Sequence, residues 1–408
     1  MRNVYFTALL LLYCNHITAQ ALPLLPLEKG VPQINTPLNR IAHGKMYSVY
    51  KKLAALKNGD SNTVSIIHFG DSHLQPDFIG AVLRDNLQAF FGNAGRGLIF
   101  PHQLAKSNMP LDITASSNIS WTYNRIAHPE IPVECGIAGF CIKSNRPQAK
   151  ITIGVKNNST PDSPFFNQVK IFTDTANTTA WMFEADSSMM PVMLRNNDTE
   201  YPGIKMIETN EPVNSFTLTA HSTGNWQSFY GASVQNGKAG VLLHTIGVNG
   251  ARYEHFNNSP ILWQQLPALH ADLVIVSLGT NEAQAVALDE KKLLAQVLQF
   301  TNRIQAIFPG AAILITTPQD SYKRNRPNLV LKHTSKALAA FCQQHNFALW
   351  DLHSITNGYG SSRYWYAKGL LNKDKVHFTA PGYKLQGKLL YNALANGYNN
   401  YIKTVSEF

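Results

Sequence analysis

Apolar residues follow two alternating patterns in the first hundred residues and again after Gly240. Short continuous apolar runs predict buried strands, and segments with apolar residues every three to four positions predict amphipathic helices. The predicted strands are residues 63–69, 241–246, 271–278, 311–316 and 347–352, and the predicted helices are 38–56, 78–91, 253–270, 288–308, 329–346 and 383–397. Strands alternating with helices predict an α/β fold, with a parallel sheet covered by helices on both faces.

The middle of the chain has a different pattern. Between residues 106 and 238, short alternating segments such as 149–155, 168–173, 205–208 and 214–220 are separated by Asn, Ser, Thr, Gly and Pro. A period of two with turn residues between segments predicts antiparallel strands. We therefore expect a first α/β segment at 22–105, an inserted antiparallel β-sandwich at 106–238 and a second α/β segment at 239–408.

Residues 1–21 have the pattern of a secretory signal peptide. Arg2 supplies the positive end, residues 4–14 form a short apolar run, and Ala19, Gln20 and Ala21 provide small residues for cleavage. This pattern predicts export to the periplasm or the exterior. No other stretch of sequence approaches the roughly 18 apolar residues of a membrane helix, so we expect no stable membrane insertion.

The charge of the chain narrows the choice of partners. There are 35 Lys and Arg residues against 25 Asp and Glu residues, a formal net charge of +10. The positive charges are spread along the chain and no stacking-aromatic motif accompanies them, which argues against a nucleic-acid partner. The surplus either serves an anionic polymer or surface or is simply a solvated face. The sequence leaves the oligomeric state open.

Cysteines suggest neither a metal site nor a cofactor. Cys135 and Cys141 flank a short segment and either form a disulfide or remain thiols, and Cys342 lies in a predicted helix as a small buried apolar residue. The sequence contains no C-x-x-C motif and no His and Cys spacing typical of zinc. We expect the protein to need no metal and no cofactor.

Four polar segments lie where the predicted strands end or just before the last helix. They are Gly70-Asp71-Ser72-His73, Gly247-Val248-Asn249-Gly250-Ala251, Gly279-Thr280-Asn281-Glu282 and Asp374-Lys375-Val376-His377. Functional groups of an open parallel sheet gather at the carboxyl ends of its strands. Ser72, between a strand and a helix, is expected to point its hydroxyl outward with its N–H at the helix N-terminus. Gly250 would let a backbone N–H approach a ligand closely.

In this order the four segments resemble the sequence blocks of the SGNH (GDSL-type) hydrolase superfamily. The resemblance implies a three-layer, flavodoxin-like α/β fold and a serine esterase. Ser72 would be the nucleophile, His377 the base and Asp374 the residue that holds the imidazole. The oxyanion hole would consist of the Ser72 N–H, the Gly250 N–H and the Asn281 side-chain amide.

The chemistry requires such a set, because a serine hydroxyl is a weak nucleophile until an imidazole removes its proton. One position departs from the superfamily pattern, since Glu282 follows Asn281 where many members carry Asp.

A narrower resemblance is to the periplasmic peptidoglycan O-acetylesterases, whose SGNH domain carries a carbohydrate-binding-module-like β-sandwich. It rests on the GDSH form of residues 70–73, the segment GNAGRGLIFP at 92–101, the VNGA form of 248–251 and the predicted insertion. The resemblance implies hydrolysis of acetyl esters on the muramic acid C6 hydroxyl through an acetyl-serine intermediate. The expected partner is an acetylated polysaccharide, peptidoglycan.

Two other functions stay open on the same residues. An O-acetyltransferase, or an acetyl esterase that acts on another polysaccharide such as xylan, would use the same catalytic groups. A non-catalytic glycan-binding protein would need only the scaffold. Aromatic residues of the predicted sandwich, namely Trp121, Tyr123, Trp181, Trp226 and Tyr230, either stack on sugars or belong to the core.

Secondary candidates surround the predicted catalytic residues. Arg96, between two glycines, either binds substrate carboxylates or forms a salt bridge that fixes its loop. His73 is expected to line or support the site, and Asp71 to cap the turn. Other histidines near strand ends, which are weaker candidates for the base because they match no block, are His68, His244 and His255.

Overall fold

A computed structural model describes residues 20–127, 134–156, 164–175, 180–185, 189–195, 202–221 and 224–407. Nearly all of the predicted signal peptide therefore lies outside the described residues. The α-helices of the described chain are α1 (Tyr47–Lys57), α2 (Phe78–Phe91), α3 (Tyr253–Asn257), α4 (Pro260–Gln265), α5 (Glu290–Ile307), α6 (Leu329–His345), α7 (Leu352–Ile355), α8 (Ser362–Ala367) and α9 (Ala380–Ser406).

The strands of the described chain are between two and ten residues long. They are β1 (Thr63–Gly70), β2 (Gly97–Ile99), β3 (Ile113–Ser117), β4 (Thr122–Arg125), β5 (Phe140–Ser144), β6 (Lys150–Val155), β7 (Phe166–Thr173), β8 (Ala180–Glu184), β9 (Val192–Arg195), β10 (Ile204–Val213), β11 (Ser215–Ala220), β12 (Gln227–Gln235), β13 (Gly240–Gly247), β14 (Leu273–Ser277), β15 (Ala312–Thr316), β16 (Tyr322–Lys323), β17 (Arg326–Pro327) and β18 (Ala348–Trp350).

Five of these strands form the predicted parallel sheet, in the order β13-β1-β14-β15-β18. Apolar side chains on its two faces join different cores. Phe69 of β1 packs edge-on against Phe256 and Phe300, whereas Ile66 belongs to the core formed with α1, α2 and α9. The sheet is therefore covered by helices on both faces, and the predicted three-layer α/β fold is confirmed.

The strands between the two α/β segments form two antiparallel sheets. One has the order β10-β7-β12-β5-β4, with β2 also paired to β12, and the other has the order β3-β6-β11-β8-β9. The sheets pack face to face, since Phe166 of the first lies 6.2 Å from Phe216 of the second between ring centroids. This arrangement agrees with an inserted β-sandwich. The boundaries 22–105, 106–238 and 239–408 stay a prediction, and β2 of the first segment joins a sandwich sheet.

Two predicted helices differ from the structure. Helix α1 begins at Tyr47 instead of residue 38, because His43 and Gly44 adopt positive φ angles of 55° and 68° after Ala42 has bridged to Leu349. The segment predicted as one helix at 253–270 is divided into α3, α4 and a 3₁₀ turn. Prolines, which lack the N–H that a helix interior needs, are the first residue of the second piece (Pro260) and the second residue of the third piece (Pro267).

Most of the questioned side chains of the sandwich belong to its core. Trp121, Trp181 and Tyr230 are buried, whereas Trp226 is about half exposed and stacks under the Lys143 ammonium. The cysteines Cys135, Cys141 and Cys342 are all buried and remain thiols, so the first two do not form a disulfide in this structure. Within the described ranges, no helix is both long and apolar enough to cross a lipid bilayer.

Candidate active site

Three of the polar segments meet at one edge of the parallel sheet. Gly70, the last residue of β1, is paired with Gly247 of β13 on one side and with Ser277 of β14 on the other. Because parallel strands bring their carboxyl ends to the same edge, the segments that follow these strands surround a common space. The register of the sheet, which no local pattern reveals, creates this meeting point.

Ser72 lies in a tight turn directly after β1. The N–H groups of Leu74 and Gln75 both donate to the carbonyl oxygen of Asp71 at 3.1 Å. The expectation that Ser72 begins a helix is wrong, because α2 starts six residues later at Phe78. The hydrogen-bonded turn, rather than a helix N-terminus, holds the serine at the edge of the sheet.

The last polar segment reaches Ser72 from the other end of the chain. His377 Nε2 lies 2.9 Å from Ser72 Oγ, and His377 Nδ1 lies 2.8 Å from Asp374 Oδ2. Asp374 Oδ1 also accepts the N–H of Val376 at 2.9 Å and the N–H of His377 at 3.0 Å. The loop thus fixes the carboxylate locally, and the carboxylate fixes the orientation of the imidazole.

Partial burial opposes ionisation of Asp374, but the hydrogen bonds from Val376 and His377 outweigh it. They hold the pKa of the Asp374 carboxyl below its usual value, so this group is a carboxylate at neutral pH. The side chains of Asp374 and His377 are 51% and 42% exposed. The imidazole is therefore accessible to a large substrate.

Two backbone N–H groups face the same space without a protein acceptor. Among the described residues, no hydrogen bond is formed by the N–H of Ser72 or by that of Gly250. Gly250 adopts a φ of +80°, a conformation that favours glycine. Both residues line an open cavity of about 870 Å³ together with Asn281, Asp374 and His377.

Asn281 lines this cavity too, but its amide is already engaged. Its Nδ2 donates to Asp71 Oδ2 at 3.2 Å and to the carbonyl oxygen of Ala251 at 3.0 Å. Burial, with a smaller contribution from the charge of Glu282, raises the pKa of Asp71 to about 7. Asp71 does stabilise the turn, as expected, since its Oδ1 accepts the N–H of His73 at 2.9 Å.

His73 lies behind the imidazole of His377. Its Nδ1 is hydrogen-bonded to the hydroxyl of Tyr383 at 3.1 Å. Burial, together with the neighbouring His377, lowers the pKa of His73 to about 3, so the ring is neutral at ordinary pH. These contacts are those of a supporting residue. His73 does not line the cavity that Ser72 and His377 line.

Some contributors were missed by sequence reasoning. Gln75 Oε1 accepts the N–H of Asn249, and its Nε2 donates to Ser107 Oγ and to the carbonyl oxygen of Asn108. Gln75 thereby ties the serine turn to the glycine segment and to the loop that forms one cavity wall. Its position three residues after Ser72 was the one signal in the sequence that could have pointed to it. Its partner Asn249 is 174 residues away, so the contact itself could not be predicted from the local sequence.

Comparisons with known proteins agree with this geometry. Residues 214–385 match the family model of the GDSL-like lipase/acylhydrolase family. The chain carries a GDSL-like lipase/acylhydrolase domain. This domain is that of a carboxylic ester hydrolase, and the matched residues include Gly250, Asn281, Asp374 and His377, whereas Ser72 precedes them.

A solved structure shares the fold over most of this chain. A peptidoglycan O-acetylesterase superposes with a TM-score of 0.75 at 21% identity, covering 88% of this chain and 99% of that one. A lipase/acylhydrolase from Enterococcus faecalis has a TM-score of 0.30 at 19% identity, covering 39% of this chain and 77% of that one. No curated protein sequence matches the chain.

Of the two roles left open for Arg96, the structure shows the salt bridge and not the binding of substrate carboxylates. Its guanidinium is buried, with Nη2 2.7 Å from Asp77 Oδ2 and Nε bonded to Asp112 Oδ2. Asp77 also accepts from Arg84 Nη2 at 2.9 Å. Arg96 is a buried ion-pair residue away from the cavity lined by Ser72, because two carboxylates of its own chain neutralise it.

The other candidate histidines lie away from Ser72. His68 is buried within β1 and bonded to Ser277 Oγ at 2.7 Å, and burial lowers its pKa to about 3. His244 Nδ1 accepts the N–H of Leu98, and His255 Nδ1 accepts the N–H of Arg252. None of the three contacts Ser72.

Glu282, the departure from the superfamily pattern, caps a helix. Its Oε1 accepts the N–H of Tyr253, the first residue of α3, at 2.9 Å. Burial raises the pKa of this carboxyl. In the described part of the chain, no group of three His, Cys, Asp or Glu side chains could hold a metal ion.

Proposed function

We propose that this protein is a serine esterase that removes O-acetyl groups from cell-wall glycan, namely peptidoglycan, through an acetyl-serine intermediate. The observation that carries the proposal is the continuous hydrogen-bonded series Ser72 Oγ, His377 and Asp374 beside two free backbone N–H groups. A nucleophile, a base, a residue that orients the base and donors for an oxyanion are the groups that acyl transfer needs.

In the first half-reaction, Ser72 Oγ attacks the acetyl carbonyl carbon while its proton passes to His377 Nε2. The tetrahedral oxyanion accepts hydrogen bonds from the N–H groups of Ser72 and Gly250. The intermediate collapses when His377 returns the proton to the sugar oxygen, so the carbon–oxygen bond to the sugar breaks. The products are acetyl-Ser72 and a free sugar hydroxyl.

In the second half-reaction, water attacks the acetyl carbon and gives a proton to His377. Collapse releases acetic acid and returns the proton to Ser72 Oγ. Asp374 keeps Nδ1 of His377 protonated throughout and stabilises the imidazolium that forms in each step. Water and ester are the only reactants consumed.

Asn281 is the third proposed donor to the oxyanion. Since Asp71 and Ala251 now accept both of its amide hydrogens, it must share or give up one of these bonds in the transition state. The 3.2 Å bond to Asp71 is the longer and the easier to exchange. Loss of a comparable donor lowers kcat by about 10²–10³.

The open, exposed site supports a polymeric substrate with small pendant esters. The cavity is wide enough for a sugar, and the exposed faces of His377 and Asp374 leave room for neighbouring residues of a strand. The whole-chain likeness to a peptidoglycan O-acetylesterase supports the choice of peptidoglycan. The proposed site of action is periplasmic or extracellular, in agreement with the signal-like residues 1–21.

Two alternatives use the same site. Transfer of the acetyl group to a sugar hydroxyl, or hydrolysis of esters on another glycan such as xylan, would retain Ser72, His377 and Asp374. A non-catalytic glycan-binding protein is less well supported, because all the groups needed for acyl transfer are present and within bonding distance.

The test is acetate release from O-acetylated peptidoglycan and acetylated xylan in parallel, with Ser72→Ala and, as a control, Ser48→Ala on the exposed surface of α1. We expect peptidoglycan to be preferred, Ser72→Ala to lose several orders of magnitude in kcat, and Ser48→Ala to equal the wild type. Activity that survives in Ser72→Ala would show that Ser72 is not the nucleophile. A preference for xylan would retain the mechanism and change the substrate, and acetylated sugar in place of free acetate would indicate transfer.

A further inference from the structure

A second groove, outside the cavity at Ser72, is lined by positive charge. It is lined by Lys323, Arg324 and Arg326 and by Gln284 and Val286 of a second segment, and its volume is about 750 Å³. We call it the basic groove. The acyl-transfer steps do not use this groove, and Ser72, Asp374 and His377 do not line it.

The cations of the basic groove are presented by a short hairpin of β16 and β17. Arg324 and Asn325 at its tip have positive φ angles of 48° and 60°, as in a two-residue hairpin turn. The strand register pairs Lys323 directly with Arg326. Like charges placed opposite each other weaken a hairpin, so this pairing does not serve folding stability.

Within the described residues, no carboxylate forms an ion pair with these charges. The ion pairs found among the described residues include none of Lys323, Arg324 and Arg326. The Lys323 ammonium donates only to a neutral partner, the carbonyl oxygen of Ala285. In contrast, the buried arginines Arg84 and Arg96 each have a carboxylate.

Uncharged donors face the same groove. The first turn of α6 lies in its wall, and the N–H groups of Leu329 and Val330 have no acceptor in the described chain, because the Asn328 side chain caps Leu331 instead. The Nε2 of Gln284 is buried without a partner. Three cations, a helix N-terminus and an unpaired amide together favour an anion.

Two segments that line the basic groove connect it to the catalytic cavity. Gln284 ends the 3₁₀ turn that starts immediately after Asn281, which corresponds to about 6 Å along the chain at roughly 2 Å per residue. In the hairpin, the N–H of Tyr322 donates to the carbonyl oxygen of Lys375, inside the loop that carries Asp374 and His377.

The Lys375 side chain strengthens this connection. Its ammonium lies 4.8 Å from the ring centroid of Tyr322 and 5.3 Å from that of Tyr366. The hairpin is thereby held against the catalytic loop by a backbone hydrogen bond and by cation–π contacts. A ligand that spans both spaces would place an ester at Ser72 and an anionic group at the hairpin.

We propose that the basic groove binds carboxylate groups of the substrate, carried on acidic peptides attached to the glycan or on the sugars themselves. This inference rests on the proposed function, since it extends the substrate from the ester at Ser72. Arginine guanidinium groups suit carboxylates because they form paired hydrogen bonds with both oxygens.

The main experiment neutralises the groove in the full-length protein with Lys323→Gln, Arg324→Gln and Arg326→Gln combined. The control combines Lys51→Gln, Lys238→Gln and Lys403→Gln, three exposed lysines that do not line the groove. Kinetics are measured on O-acetylated peptidoglycan and on p-nitrophenyl acetate, a small neutral ester, at low and high salt.

For the groove variant we expect KM on the polymer to rise at least tenfold at low salt, with kcat and all constants on p-nitrophenyl acetate unchanged. High salt should reduce the difference, because screening weakens charge pairing. The control should match the wild type. An unchanged KM on the polymer, or an equal rise in the control, would overturn the proposal.

Repeating the measurement on O-acetylated glycan from which peptides have been removed distinguishes the two sources of carboxylate. If the effect of the groove variant disappears, the peptides carry the carboxylates, and if it persists, the sugars do.

A binding assay separates this inference from the proposed function. A dye-labelled peptide of four glutamates should bind the wild type at least tenfold more tightly than its four-glutamine counterpart, and the groove variant should lose this difference. Peptide binding without acetate release from peptidoglycan would support carboxylate binding by the groove and overturn the proposed function. Acetate release without selective peptide binding would support the proposed function and overturn carboxylate binding by the groove.

Discussion

The imidazole rings of His73 and His377 lie face to face, with centroids 5.3 Å apart and planes inclined by 29°. His377 is the proposed base, and His73 is held behind it by the hydroxyl of Tyr383. Since burial keeps His73 neutral, it adds no positive charge beside the imidazolium that forms during acyl transfer. The neutral ring of His73 therefore packs against His377 and helps to fix its position.

We expect His73→Ala to lower kcat by about 10- to 100-fold, because the imidazole of His377 loses its packing and small misplacements weaken catalysis strongly. His73→Phe should stay within about fivefold of the wild type, since a phenyl ring retains the stack. Steady-state kinetics on p-nitrophenyl acetate check both variants. Equal losses in the two would show that the hydrogen bond to Tyr383, and not the stacked ring, is what matters.

Asp71 should make folding stability depend on pH. Its pKa is about 7 in the folded protein and 3.8 ordinarily, so the folded state binds the proton more tightly. The resulting stabilisation is complete below pH 4 and is lost as the pH rises through 7, a change on the order of 4 kcal/mol.

Asp71→Asn removes this titration, so its free energy of unfolding relative to the wild type should rise between pH 4 and pH 7. Urea unfolding across this range measures the difference, with the exposed Asp60→Asn as the control. A difference between Asp71→Asn and the wild type that is the same at every pH would contradict the raised pKa.

Asp77 should be essential for stability, because its Oδ2 accepts hydrogen bonds from the buried guanidinium groups of both Arg84 and Arg96. Asp77→Asn leaves one of these charges without its carboxylate, and we expect a loss of about 3–5 kcal/mol in the free energy of unfolding. Glu28→Gln, which removes an exposed pair with Lys388, should change little. Similar unfolding midpoints for the two variants in denaturant would refute the structural role of the cluster.

Gly247 should tolerate no side chain. A Cβ there would lie 2.5 Å from the backbone nitrogen of Gln75, in the turn that carries Ser72. We expect Gly247→Ala to displace this turn and to lower kcat/KM at least tenfold, with a lower Tm. Gly310→Ala, where no atom lies within 4 Å of the new Cβ, should resemble the wild type. Wild-type kinetics in Gly247→Ala would mean that the turn moves without consequence.

Local pattern was sufficient to predict the elements that carry the site. Helix α2 spans Phe78–Phe91 as its periodicity predicted, and each continuous apolar run of the α/β parts is a strand of the parallel sheet. Periodicity works here because the buried face of an element is set by which of its own side chains are apolar. It failed where prolines divide an apolar segment, as at Pro260 and Pro267.

The sequence by itself determined the chemistry that is present, since residue types and their order identify a hydroxyl, an imidazole, a carboxylate and glycines at strand ends. Only the tertiary structure decided which of these groups meet. Ser72 and His377 are 305 residues apart, and their 2.9 Å contact depends on sheet register and on the loop before α9. Likewise, tertiary packing pairs Arg96 with Asp77 and Asp112, and it brings Gln284 beside the hairpin of Lys323 to form the basic groove. Hydrophobic periodicity is a local property, whereas charge pairing and site geometry depend on distances that only the folded chain defines.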